Sequence, residues 1–184
     1  MLESVWTEIV FMDCIRILGE VAEGAMNVGL LIRGGLSFGQ LYHKDGVVFG
    51  EAMIDAYGLE NDAVYPKVAI SHRVMEKLTH EQPTNLRSLL IQDQDTTWHL
   101  NYFRGMVAAA RVPDGQDQFS FAQNWRKGRL KQIDDTIANL APGKAANKWA
   151  WFKKHFEEET ARFAEQDQRQ WEPVGWQPSE TTMG

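Results

Sequence analysis

With one cysteine, Cys14, in 184 residues, the chain has no intrachain disulfide to staple its fold. It also lacks a charged leader followed by an apolar core and a small-residue cleavage site, so a reducing, cytoplasmic setting is expected. Long apolar runs are missing too. Asp13, Arg16, Glu20 and Glu23 interrupt the most hydrophobic stretch well short of the ~18 uncharged residues that a membrane span needs, so no membrane partner is expected. An excess of basic charge is absent: 19 Lys and Arg stand against 25 Asp and Glu, a net charge of -6. That balance argues against a protein built to hold a phosphate backbone, and no nucleic-acid partner is expected. The one basic run, Arg126, Lys127, Arg129 and Lys131, lies beside Asp134 and Asp135 and reads as a solvated helix face. No phosphate loop of the G-x-x-x-x-G-K type occurs, since "APGKAANK" has the lysine without the spacing.

What remains is an ordinary globular composition, 43% apolar and 24% charged, of a length suited to one domain. Residues 1–165 are expected to form it, with 166–184 an extended or disordered tail because Trp171, Pro173, Trp176 and Pro178 follow no period. From Val10 to Ala25 the charged residues recur at helical spacing and apolar residues fill the rest, which predicts a largely buried helix with one wet stripe. Leu30 to Tyr42 reads as a strand, reversed by Lys44-Asp45-Gly46 into Val47 to Phe49. A short helix follows from Gly50 to about Glu60, then a strand over Lys67 to Ile70 and a helix capped by Ser71 that runs to about His80. Leu86 to Gln92 and Thr97 to Phe103 read as two further strands, and Phe119 to Leu140 and Ala145 to Glu165 as a helical pair. The expected class is α+β.

Three glycines sit inside the first of these strands, where glycine is costly. Alternation puts Ile32, Gly34, Leu36 and Phe38 on an apolar face and Arg33, Gly35, Ser37 and Gly39 on a polar one. Two readings stand side by side. The glycines let a helix pack tightly or mark a bulge, or they leave a surface where a ligand, another backbone or a partner subunit comes close.

The ordered series Arg33-Gly34-Gly35-Leu36-Ser37-Phe38-Gly39, Leu41-Tyr42-His43, Phe49-Gly50-Glu51-Ala52, Ala56-Tyr57-Gly58-Leu59-Glu60 and Val64-Tyr65-Pro66-Lys67-Val68-Ala69-Ile70-Ser71 resembles the stand-alone bacterial branch of the class III nucleotidyl cyclases. That branch includes the cyclases of antiphage pyrimidine cyclic-nucleotide systems. A weaker echo continues in residues 93–103 and in "NKWAWFKKHF". The resemblance implies a partial ferredoxin-like sheet and a head-to-tail homodimer, or pairing with a partner cyclase, with composite sites at the interface. It also implies cyclisation of a nucleoside triphosphate with Mg2+ or Mn2+ held by two aspartates. By motif position, Arg33 would hold a phosphate, Ser37 would stand beside it, and Tyr57 would lie near the base or the dimer seam.

Two parts of the family pattern are missing. The metal aspartates belong upstream of Arg33, where only 32 residues stand, and Asp13 falls on the wet stripe of a helix. Ile54 and Gly58 occupy the positions of a transition-state asparagine and arginine and can supply neither hydrogen bonds nor charge. The chain is therefore expected to be a shortened cyclase-like protein, inactive alone, or a noncatalytic dimerisation protein on the same fold. Elsewhere, His72, Glu76 and His80 share one helix face and Asp93 and Asp95 form a D-x-D, either able to meet a metal, though a solvated helix face and an Asp-rich turn explain them more simply. Cys14, read as buried and without a basic neighbour, is not expected to act as a nucleophile. Trp149, Trp151, Phe152 and Phe156 are spaced as a packed helix face.

Overall fold

The computed structural model describes residues 8–80, 90–93, 96–109 and 112–165. The expected tail, the first part of the strand expected over 86–92, and Asp95 lie outside them. In chain order the elements are α1 (Glu8–Asn27), β1 (Gly34–Leu36), β2 (Tyr42–Lys44), β3 (Val47–Phe49), α2 (Glu51–Asp62), β4 (Val68–Ile70), α3 (His72–His80), β5 (Leu90–Gln92), β6 (Trp98–Leu100), α4 (Tyr102–Ala109), α5 (Gln118–Ala138) and α6 (Lys144–Glu165). The class is α+β, as the sequence suggests. No helix among the described residues is long and apolar enough to cross a membrane.

Four strands form one mixed sheet in the order β1-β4-β6-β5, with β1 parallel to β4 and the other neighbours antiparallel. Gly35 pairs with Ala69, Ala69 with His99, and His99 with Ile91. Paired residues share a face, so these four make one row across the sheet. The expected strand over Leu30 to Tyr42 is much shorter than its sequence suggests. Its ladder ends at Leu36, whose carbonyl accepts from Ser71 N, because Ser71 already turns the chain into α3, its Oγ accepting from Val74 N. The chain then runs against the start of α2, where Gln40 O accepts from Ala52 N, and β2 pairs only with β3. The turn between them follows its sequence: Asp45 and Gly46 both have positive φ, 52° and 78°, as a two-residue Asp-Gly hairpin requires.

The helices depart from expectation in three places. Thr97 to Phe103 is not one strand, since β6 stops at Leu100 and Tyr102 opens α4. Leu100, Tyr102, Phe103 and Met106 are all buried, so neither a two-residue nor a 3.6-residue period was visible there. Helix α4 crosses α1 backbone to backbone. A Cβ on Gly19 would lie 2.1 Å from the carbonyl carbon of Gly105, and one on Gly105 would lie 2.3 Å from Ile15 O. Helix α1 buries a single stripe, Phe11, Ile15, Ala22 and Met26, and leaves Ile17 and Val21 about half exposed, so it is less buried than its composition suggests. The basic run on α5 is only partly a solvated face. Lys127 and Lys131 are exposed, but the Arg126 guanidinium donates to Thr160 Oγ1 and Glu157 O of α6, and Arg129 pairs with Glu23 and Asn27 of α1. These two arginines tie α5 to its neighbours. Trp149, Phe152 and Phe156 pack inward with Phe103, while Trp151 turns to a different neighbourhood.

Candidate functional site

The polar face of β1 is covered by α2. A Cβ on Gly35 would lie 2.2 Å from Ala56 O and 2.8 Å from Leu59 Cβ, so close helix packing is what requires glycine there. Gly34 is different, since a Cβ on it would make only ordinary contact with Val68. Arg33 reaches the C-terminal end of α2, donating to Ala63 O at 3.1 Å and pairing with Glu60 at 3.4 Å. Ser37 Oγ lies 3.4 Å from Asp55 on the same helix. The structure thus brings Arg33 and Ser37 to one helix, along two turns of its inner side. Tyr57 stands outward from that helix, 63% exposed.

Past the end of β1 an open groove of about 720 Å³ is bordered by Phe38, Gln40, Glu51, Arg73 and Lys77. Arg73 is held by Glu51 at 2.7 Å and Asp55 at 3.7 Å, contacts that raise its pKa, Glu51 most. Lys77 Nζ lies 5.0 Å above the Phe38 ring. Beside the groove, the β2–β3 hairpin is exposed on both strands and α2 buries none of its residues completely. Leu41, Val47, Phe49, Met53, Tyr57 and Ile54, the last 71% exposed, leave this edge of the molecule strongly apolar.

At the other end of the cross-strand row lies a buried polar cluster. Asp93 N donates to Thr97 O, closing the turn between β5 and β6, and this places Asp93 beside His99 in the middle of β6. His99 has no exposed surface, its Nε2 lies 3.5 Å from Asp93 Oδ1, and neither ring nitrogen has a hydrogen-bond partner. Burial lowers its pKa to about 4, with Lys67 and His155 adding to the effect; the Asp93 carboxylate and the Leu100 backbone oppose it without reaching hydrogen-bond geometry. The imidazole is therefore neutral at neutral pH.

Lys67, itself buried, donates from Nζ to Asp93 Oδ2 and, at 3.1 Å, to Thr97 Oγ1. His155 approaches from α6, with Nδ1 3.0 Å from Trp151 O. A carbonyl only accepts, so Nδ1 carries a proton, and in the neutral ring Nε2 is the nitrogen with the lone pair. The Trp151 indole stacks on the His155 imidazole at 3.9 Å and on Tyr65 at 5.4 Å. One donor atom from each of Asp93, His99 and His155 falls within 4.8 Å of the others.

Of the sequence-derived candidates, Asp93 joins this cluster, whereas Asp95 lies outside the described residues. His72 and Glu76 lie 3.5 Å apart on the exposed face of α3, and the side chain of His80 is outside the described set. Asp13 is exposed and lies 3.7 Å from Arg16. Cys14 is half buried rather than buried, and burial, followed by the Asp13 charge, pushes its thiol pKa up, away from nucleophile chemistry. His99 and His155 carried no sequence signal of their own. The signal for His99 was its place just across a turn from Asp93, whereas His155 is brought in only by the docking of α6. Compared with protein-family models, with curated proteins and with solved structures, the chain has no match.

Proposed function

We propose that this chain is a noncatalytic association module on a cyclase-like fold, and that the β2–β3 hairpin and the outer side of α2 join it to a second copy of itself. One observation carries the reading: an apolar surface runs from the β2–β3 hairpin, exposed on both strands, onto the outer side of α2, whose inner side already packs on β1. A hairpin of three-residue strands is marginal in water by itself, and covering its face with a second hairpin and helix would stabilise it. The middle of the ordered motif series, from Leu41 to Glu60, lies on these elements, and its resemblance to the cyclases implies a dimer. We read the sheet as part of a ferredoxin-like cyclase sheet, supported by the parallel β1–α2–β4 unit with the antiparallel β6–β5 pair beside it. The acidic composition and single half-buried thiol support a cytoplasmic protein partner over nucleic acid.

A second reading, turnover of a nucleoside triphosphate, is favoured by the groove beside Ser37, whose volume suits a small ligand and whose border carries Arg73 and Lys77. In that reading Arg33 holds a phosphate and Tyr57 lies at the base or the seam. The carboxylates near Arg33 and Ser37 do not fit a Mg2+ or Mn2+ pair. Glu60 is taken by Arg33, Asp55 by Ser37 and Arg73, and Glu51 by Arg73. Purified chain should scatter light as a particle of twice its 21.0 kDa mass and yield no cyclic nucleotide with Mn2+ and any nucleoside triphosphate. Cyclic product from this chain alone would overturn the noncatalytic reading.

A further inference from the structure

We infer that Asp93, His99 and His155 form a binding site for one divalent transition-metal ion of the zinc type. The inference is independent of the association surface. Its first support is the donor set: two imidazoles and one carboxylate select first-row transition metals over Mg2+ and Ca2+, which prefer all-oxygen shells. Its second is geometric. Bonds of ~2.0–2.1 Å in a tetrahedral shell space neighbouring donors about 3.3–3.4 Å apart, and His99 Nε2 and Asp93 Oδ1 stand at 3.5 Å. Bringing the His155 donor to the same spacing from within 4.8 Å needs a side-chain adjustment of about an ångström.

The third support points to a ligand without reference to the other two. His99 is completely buried with both ring nitrogens unpartnered, a cost that a native protein rarely carries without a use. A metal on Nε2 removes half of that deficit. The surrounding contacts also match those that orient metal ligands. His155 donates Nδ1–H to the Trp151 carbonyl, which leaves Nε2 as the nitrogen able to take a metal, and Asp93 is gripped through its other oxygen by Lys67.

Three protein donors leave a fourth position open for water or an anion. The Lys67 ammonium beside Asp93 weakens the attraction for a cation and makes that open position favourable for an anionic ligand. Its nitrogen-rich donor set differs from the paired aspartates that the cyclase resemblance implies for Mg2+ or Mn2+.

The test is a titration of the chelator-treated full chain with Co2+, read by its visible absorption, with competition by Zn2+ and by Mg2+. One equivalent of Co2+ should bind with the intense bands of a four-coordinate ion, Zn2+ should displace it, and Mg2+ should not. Since His99 is buried and its replacement risks unfolding, the informative variants are His155→Ala and Asp93→Asn, each checked for a native thermal transition. Both should weaken Co2+ binding at least tenfold, while His72→Ala, on the exposed face of α3, should leave it unchanged. A folded wild-type chain that takes up no Co2+, or takes it up equally well without His155 and the Asp93 carboxylate, would overturn the assignment. Displacement by Mg2+ in place of Zn2+ would overturn the metal class.

Discussion

The core around α4 and the edge formed by the hairpin and α2 use the same kinds of residue in opposite ways. Phe103, Phe152 and Phe156 have almost no exposed surface and touch one another ring to ring, whereas Phe49, Ile54 and Tyr57 face solvent. The contrast extends to glycine. Gly19 and Gly105 exist so that two helix backbones can touch, Gly35 so that a helix can lie on a strand, while Gly24 and Gly58 have open space where a side chain would be. Composition therefore says little about what a residue does. The presence of a packing partner decides it, and the described residues leave the outer side of the hairpin and α2 uncovered.

The largest effect expected from breaking this contrast comes at the α1–α4 crossing. Gly105→Leu should prevent folding or cost on the order of 3 kcal/mol or more, because backbone sits where its Cβ must go. Gly24→Ala, on the open side of α1, should instead stabilise by about 0.5–1 kcal/mol through helix propensity. Urea midpoints of both variants check the pair. Next in size, Phe156→Ala should cost about 3–5 kcal/mol, against about 0.5 kcal/mol or less for Phe49→Ala in the separated monomer. Equal costs at the two phenylalanines would erase the distinction between the regions.

A third prediction concerns the buried end of the sheet row in metal-free protein. His99 has a folded pKa of about 4 against an ordinary value of 6.5, with Asp93, Lys67 and His155 as its charged or titratable neighbours. Between those values the unfolded chain binds more protons than the folded one. Stability is therefore fully present above pH ~6.5 and declines as pH falls toward 4, by on the order of 2–3 kcal/mol. Urea midpoints that stay flat over this interval would contradict a neutral, buried His99. The smallest effect is expected at the helix ties: Arg129→Met should cost about 1–2 kcal/mol, because it strips the half-buried Glu23 of its guanidinium partner. Exposed Lys131→Met, two residues away, should leave the midpoint where it is.

Much of the fold was legible wherever a local rule acts alone. Asp45-Gly46 specifies its hairpin, Ser71 starts α3, and the Pro142-Gly143 break separates α5 from α6 within a few residues of their observed ends. Legibility failed where tertiary contact overrides pattern. The switch from β6 to α4 is hidden because Leu100, Tyr102, Phe103 and Met106 are all buried, β1 is cut short because β4 turns into a helix, and Arg126 and Arg129 look like any exposed basic run until α6 and α1 are placed beside them. For the polar face of β1 the sequence left helix packing and an open surface side by side, since nothing local says that α2 will fold back over Gly35. The cluster of Asp93, His99 and His155 was the least legible of all. Asp93 announces a turn, His99 reads as a strand residue and His155 as a helix residue, and only the docking of α6 on the sheet brings them together.

The association claim is tested most directly by sedimentation velocity of the wild-type chain and of the double variant Phe49→Asp, Ile54→Asp, alongside their thermal melts. Both positions are exposed, so charge there should leave the monomer fold intact while placing like charges in a self-complementary interface. The account predicts a wild-type dimer and a variant monomer that retains the wild-type secondary structure. A wild-type chain that sediments as a monomer at every concentration, or a double variant that remains a dimer, would contradict it.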